Sequence, residues 1–144
     1  MEYFKRNFLT AEGRLNRWKY FKLMFLLGLL AGVASFITGL FFSNAIGTLT
    51  PTGEKISVIV TLAFLAPSYF LMTRRLHDIG KDNFLAKINI AIALYYIIFT
   101  DIDINSISMF DSILSFISAI IGLYILFKKG TDGYNQYGSD PLAV

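Results

Sequence analysis

Residues 20–42, YFKLMFLLGLLAGVASFITGLFF, decide the fold. Lys22 is the only charge in this run, and it lies close enough to the end for its stem to carry the ammonium back to the membrane surface. As a helix rising about 1.5 Å per residue, the run reaches about 35 Å, enough to cross a hydrocarbon core about 30 Å thick. It is too long for the apolar part of a signal peptide, and the leader before it is too acidic and aromatic, so it reads as a retained span despite a cleavage-like Ser43-Asn44-Ala45. Gly28, Gly32, Ser35 and Gly39 recur along one face. Such a small-residue face lets a second helix backbone approach, either within this chain or in a homodimer.

Composition agrees. Of 144 residues, 55% are hydrophobic and 16% charged, against about 25% charged in a soluble domain. Mean hydropathy is +0.57. This length holds one domain of about four spans joined by short connections. With no cysteine, disulfides, thiolate catalysis and Cys-ligated metal sites are excluded. The net charge of +3 would suit nucleic acid or an anionic membrane surface. The basic segments are short and each adjoins a span, which favours the membrane and speaks against nucleic acid.

Before the first span, residues 1–19 interleave Tyr3, Phe4, Phe8, Leu15 and Trp18 with Lys5, Arg6, Arg14, Arg17 and Lys19. That mixture predicts a segment at headgroup depth, or else a solvated tail, with Thr10 or Asn16 capping a helix. Residues 43–55 carry Gly47, Pro51 and Gly53 and read as a loop. The second span is expected over 56–73, with Pro67 inside it as a kink. A third, over 84–102, has a short clean core. It needs Lys87 to snorkel and Asn89 to sit near the interface or bond a neighbouring helix, and a re-entrant segment is the alternative. Asp101, Asp103, Asn105 and Asp111 mark an acidic loop. The fourth span, 109–127, places Ser115, Ala119 and Gly122 on one face, a match for the small face of the first span, and ends at Lys128 and Lys129.

The expected fold is therefore a single all-α, polytopic membrane domain over 1–144 with four transmembrane helices. Lys55 is the only basic residue in the first and third connections, whereas the others cluster in 1–19, 74–83 and 128–144 or in the spans bordering them. The positive-inside rule then puts both termini and the second connection in the cytoplasm.

Three polar segments share that side: 13–18 (Gly-Arg-Leu-Asn-Arg-Trp), 74–81 (Arg-Arg-Leu-His-Asp-Ile-Gly-Lys) and 130–141 (Gly-Thr-Asp-Gly-Tyr-Asn-Gln-Tyr-Gly-Ser-Asp-Pro). The last has the composition of tight turns. Together they resemble the domain of unknown function 805 family of small bacterial inner-membrane proteins. The likeness rests on Gly13, Arg14, Arg17 and Trp18, on the Arg74 to Gly80 block, and on Gly-Thr-x-Gly-x-Asn-x-Tyr-Gly-x-Asp-Pro at the end. Phe84 stands where the family pattern leads one to expect tryptophan. The resemblance implies a four-helix protein of the bacterial inner membrane and brings no biochemical activity with it.

The candidate cluster comprises Arg14, Arg17, Arg74, Arg75, His77, Asp78, Lys81, Asp132, Asn135, Tyr137 and Asp140. Three readings compete. In the structural one, Asp78 accepts from one of the arginines or from backbone amides of the closing loop, His77 bonds a carbonyl, and Gly80 ends the helix; if the second helix continues through the block, Arg74 is placed to pair with Asp78 one turn on while Arg75 points elsewhere. In the second, Arg14, Arg17, Arg74, Arg75 and Lys81 hold an anionic lipid headgroup or another phosphate-bearing ligand. In the third, a membrane enzyme or small transporter, His77 acts as acid or base. A single histidine, no metal-loop spacing and no ionisable group at mid-span weigh against the third. No catalytic, metal or cofactor residue is assigned. The expected partners are the bilayer itself, anionic headgroups, and a second copy or another membrane protein. The function class expected is a non-enzymatic binding, scaffold or accessory protein.

Overall fold

The computed structural model describes residues 2–99 and 109–143, without the side chains of Tyr3, Phe4 and Arg6. The expected acidic loop at Asp101, Asp103 and Asn105 and the end of the third span fall outside those residues. Among the described residues five helices follow one another: α1 (Glu2–Phe8), α2 (Arg17–Phe42), α3 (Pro51–Asp78), α4 (Phe84–Phe99) and α5 (Met109–Phe127). Among the described residues there is no strand, only two isolated bridges in loops. α2, α3 and α5 are long and apolar enough to cross a membrane; α4 is apolar and shorter, about 24 Å long. These are the helices of a multi-pass membrane protein.

Two helix starts depart from the sequence reading, each for a capping reason. α2 begins at Arg17, three residues before the expected span, because Asn16, one of the two expected caps, accepts the Lys19 amide through its side chain at 2.8 Å. α3 begins at Pro51, inside the expected loop, because Thr50 caps it by accepting the Gly53 amide and proline suits a first-turn position with no amide to satisfy. The loop shrinks to residues 43–50, where the Asn44 carboxamide oxygen accepts the amides of Ile46 and Thr48. Pro67 is buried inside a helix that continues past it.

Buried residues concentrate at one end of the bundle. They are Tyr20, Leu23 and Leu27 at the start of α2, Leu71, Met72 and Leu76 at the end of α3, Ala86 in α4, and Ile121 and Ile125 near the end of α5, joined by Phe8 and Leu15. Alternating chain direction brings these four helix ends together. The N-terminal segment is not a solvated tail, because Asn7, Phe8, Arg14 and Leu15 are all buried in this end. Farther along, Leu29, Leu30, Val33, Phe36 and Ile37 of α2, and Val58, Ile59 and Leu62 of α3, remain exposed, as helix faces meant for lipid do.

The small-residue seam between the first and fourth spans does not form. A Cβ placed on Gly28, Gly32, Gly39 or Gly122 would meet nothing within 4 Å. Ser115 instead faces α4, where its hydroxyl lies 2.8 Å from that of Tyr96, and Ser118 donates to Asn89. The polar groups of α4 and α5 therefore satisfy each other, and Asn89 bonds a neighbouring helix. Close approach happens at Gly53, where a Cβ would lie 2.7 Å from the Cβ of Phe42.

Candidate functional site

The end of α3 is the centre of the packed end. Leu71 through Leu76 are buried without interruption, and Asp78 and Ile79 follow. The helix stops in a hydrogen-bonded Schellman turn: the Lys81 amide donates to Leu76 at 2.9 Å and the Gly80 amide to His77 at 3.1 Å. Gly80 adopts φ +78°, which costs a side chain energy and costs glycine little.

Asp78 is the anchor. Its Oδ1 accepts from Arg14 Nε at 3.2 Å and lies 3.1 Å from Arg14 Nη2, while Oδ2 accepts from Arg75 Nη1. The expected Arg74–Asp78 pair does not occur. Arg75, three residues before Asp78 and so also on its face, takes that role, and Arg74 turns to donate to the Asn7 carbonyl at 3.3 Å. The side chains of Arg14 and Arg75 are 1% and 0% exposed, so this is a desolvated ion triad.

Both guanidiniums are otherwise consumed by backbone. Arg75 Nε donates to Ile125 at 3.0 Å and Nη2 to Lys128, so its charge sits on the unsatisfied carbonyls at the end of α5. Arg14 Nη1 donates to Gly133 and Gly138, and Nη2 to Thr131. Every nitrogen of the two guanidiniums therefore has an acceptor. Burial pulls Arg75 below its ordinary pKa, opposed by Asp78; arginine nonetheless keeps its charge near neutrality. Burial likewise pushes the Asp78 carboxyl up, opposed by Arg75 and Arg14.

The C-terminal segment closes over this triad. Thr131 donates to the Asp78 carbonyl through its amide at 2.8 Å and its hydroxyl at 3.1 Å. Asn135 Nδ2 donates to the His77 carbonyl at 3.0 Å, and its Oδ1 accepts the Tyr137 amide at 2.8 Å. Gly130 has no room for a side chain, since a Cβ would lie 2.8 Å from Asp78 Cγ. From the other side the Leu15 amide donates to the Arg74 carbonyl at 3.1 Å.

His77 is half-buried. Its ring stacks on Tyr137 with centroids 3.9 Å apart and planes at 3°, and Nδ1 lies 3.3 Å from the Gly13 carbonyl. Burial lowers its pKa, the Gly13 bond opposes the shift, and Arg74 adds to it. The amides of Leu142 and Gly133 bind the Asp140 carboxylate and hold its pKa down. Asp132 pairs with Lys129 at 2.8 Å in the open. Arg17 and Lys81 are exposed.

The structure thus knots Arg14, Arg74, Arg75, His77, Asp78, Asn135 and Tyr137 together and sets Arg17, Asp132 and Asp140 around a small adjoining cavity. Lys81 enters only through its main-chain amide among the described contacts. Sequence reasoning missed Asn7, Gly130 and Thr131 as members of the knot. Asn7 acts through a carbonyl, Gly130 through the lack of a Cβ, and Thr131 through its amide, its carbonyl and its hydroxyl; only the glycine and that hydroxyl leave a trace in the sequence. Among the described residues no group of acidic and histidine side chains is arranged to hold a metal ion.

Fold and site define a class: a small polytopic helical membrane protein whose N-terminal segment, central helix end and C-terminal segment are tied by one buried ion triad. The chain belongs to the family described as "Protein of unknown function (DUF805)", whose model matches residues 8–139. No curated protein and no solved structure matches it.

Proposed function

We propose that this is a non-enzymatic scaffold or accessory protein of the bacterial inner membrane, with both termini and the knotted platform on the cytoplasmic side. One observation carries the non-enzymatic part. The most ionisable region of the chain spends its charges on itself, because Asp78 is shared by two arginines whose remaining donors all reach backbone carbonyls. A buried, fully paired triad holds a surface rigid and leaves no acid, base or nucleophile poised for a substrate. His77 faces a carbonyl and an aromatic ring, and among the described residues no carboxylate bonds its ring. The cytoplasmic placement is supported by the distribution of Lys and Arg.

What the platform offers outward is Tyr134, 82% exposed in the closing segment, with exposed Lys81 and Leu142. The expected binding of anionic ligands through Arg14 and Arg75 loses its donors, so any such contact falls to exposed cations. The test is purification in mild detergent from native membranes, comparing wild type with Tyr134→Ala and Lys81→Ala. The scaffold reading expects a partner retained in fixed ratio by wild type and lost from a variant that melts normally. Recovery of the wild-type chain alone at every detergent strength would refute it. A reporter joined after Val144 is expected to be active only in the cytoplasm.

A further inference from the structure

Beside the knot lies a cavity of about 70 Å3, walled by Arg17, Lys129, Asp132 and Asp140, with Arg75 and Asp78 among its lining residues. At about 10–15 Å3 per water, it has room for about five waters or one small polar group. Arg75 and Asp78 are already spent on each other and on Arg14. The remaining charged groups are two cations, Arg17 and Lys129, and two carboxylates, Asp132, which pairs with Lys129, and Asp140, whose oxygens accept the amides of Gly133 and Leu142 and keep further acceptor capacity.

That balance selects the ligand. A bare anion entering the cavity meets two carboxylates, and a bare cation meets an arginine and a lysine. A group carrying a phosphate at one end and a primary ammonium at the other satisfies both pairs. The Lys129–Asp132 bond, 69% and 80% exposed, is a weak solvated pair that such a group can exchange for its own charges.

The cavity adjoins the start of α2, where Arg17 lines it and the neighbouring side chains are of the kind that favours a membrane surface. Trp18, next to Arg17, is 65% exposed and begins an outward ladder, with Trp18 and Phe21 stacked at 5.8 Å and Phe21 and Phe25 at 6.1 Å. Lys22 Nζ sits 5.4 Å from the centre of the Trp18 ring. Exposed aromatics with a snorkelling lysine at the start of a span mark the membrane–water boundary.

We propose that this cavity binds a phosphoethanolamine group, with the phosphate oxygens on Arg17 and Lys129 and the ammonium on Asp132 and Asp140. The inference rests on the reading of the platform as a binding face at the membrane surface and names one ligand class for it. A quaternary ammonium has no N–H to donate, so a choline headgroup is a poor match, and a glycerol headgroup lacks the cation.

The test is native mass spectrometry of the full chain with phosphatidylethanolamine, phosphatidylcholine and phosphatidylglycerol of identical acyl chains. Wild type is expected to retain phosphatidylethanolamine about five- to tenfold better than either other lipid, the factor that about 1 to 1.4 kcal/mol carries. Arg17→Gln and Asp132→Asn, both at exposed side chains, are each expected to lose that preference, while Lys55→Gln, exposed near the start of α3 and outside the cavity, keeps it. Equal retention of the three lipids by wild type, a preference for phosphatidylglycerol, or unchanged preference in both cavity variants overturns the proposal. If a cavity variant melts early, the wild-type comparison decides alone. Free phosphoethanolamine separates the sources: competition supports a site for the headgroup alone, and retained lipid without competition supports one that needs the bilayer lipid. A wild-type chain that shows no lipid preference yet retains a protein partner would refute this site and leave the scaffold reading standing.

Discussion

Removing the Asp78 carboxylate should damage this protein more than any other single truncation in the platform. In Asp78→Ala, the guanidiniums of Arg14 and Arg75, 1% and 0% exposed, are left as buried like charges without their shared counter-ion. Breaking a buried pair from one side costs about 3–5 kcal/mol, against a total stability of about 5–15 kcal/mol. At about 2–4 °C per kcal/mol for a domain of this size, the melting midpoint should fall by about 6–20 °C. The assay is thermal melting in a mild detergent followed by size-exclusion chromatography, with the amount of protein in the membrane as a second readout. Replacing the whole triad, as in Arg14→Leu/Asp78→Leu/Arg75→Met, should recover part of the loss, because it removes the charges along with their partner. A single variant that melts within about 2 °C of wild type and accumulates normally would refute the claim that the triad fastens the fold. If such a stable variant also lost its phenotype in cells, Asp78 would have a functional role that its geometry does not suggest.

Three further outcomes follow from the same geometry. Gly130→Ala drives a methyl into the Asp78 carboxylate and should cost about 1–3 kcal/mol in the same melt, whereas Gly28→Ala and Gly32→Ala, which meet open space, should stay within about 0.5 kcal/mol. Gly53→Ala, against the Cβ of Phe42, should be destabilising although it lies in the first turn of α3, at the other end of that helix from the knot. Because His77 has a lowered pKa when folded, the unfolded chain takes up its proton more readily. The stability it contributes is therefore present above its ordinary value of about 6.5 and is lost as pH falls through the lowered value; a melting series from pH 8 to pH 5 should show this in wild type and lack it in His77→Gln.

The fold class was legible because lipid imposes a crude requirement: about 20 apolar residues per crossing, whatever their neighbours. Residues 20–42 meet it, and so do α3 and α5. Helix starts were less legible. Pro51, in a stretch rich in turn formers, looks like loop until Thr50 is seen bonding the Gly53 amide. The small-residue faces misled for a related reason. Glycine permits close approach without requiring it, and Gly28 and Gly32 are left facing open space while Gly53 meets Phe42.

The site divides in the same way. The three polar segments and most of the residues that matter stand out in the sequence, since ionisable groups in so apolar a chain are costly and sparse. The partners do not. Helical spacing alone allows Asp78 to meet Arg74 or Arg75, and nothing in the spacing names Arg14, 64 residues away. The acceptors for the remaining donors are carbonyls at Asn7, Ile125, Lys128, Thr131 and Gly133, and every residue has a carbonyl.

By itself, then, the amino-acid sequence determined that residues 20–42 and the other apolar runs become helices of a membrane protein, and that its charge collects in three short segments. Those outcomes depend on local composition and on the energy of leaving polar groups in lipid. Tertiary structure alone decided that the charge is turned inward, with Arg14 and Arg75 closing on Asp78 beneath Gly130, and that Arg17, Lys129, Asp132 and Asp140 are left around one cavity. Which donor meets which acceptor depends on where distant helix ends come to rest, and that is set by the packing of the whole bundle.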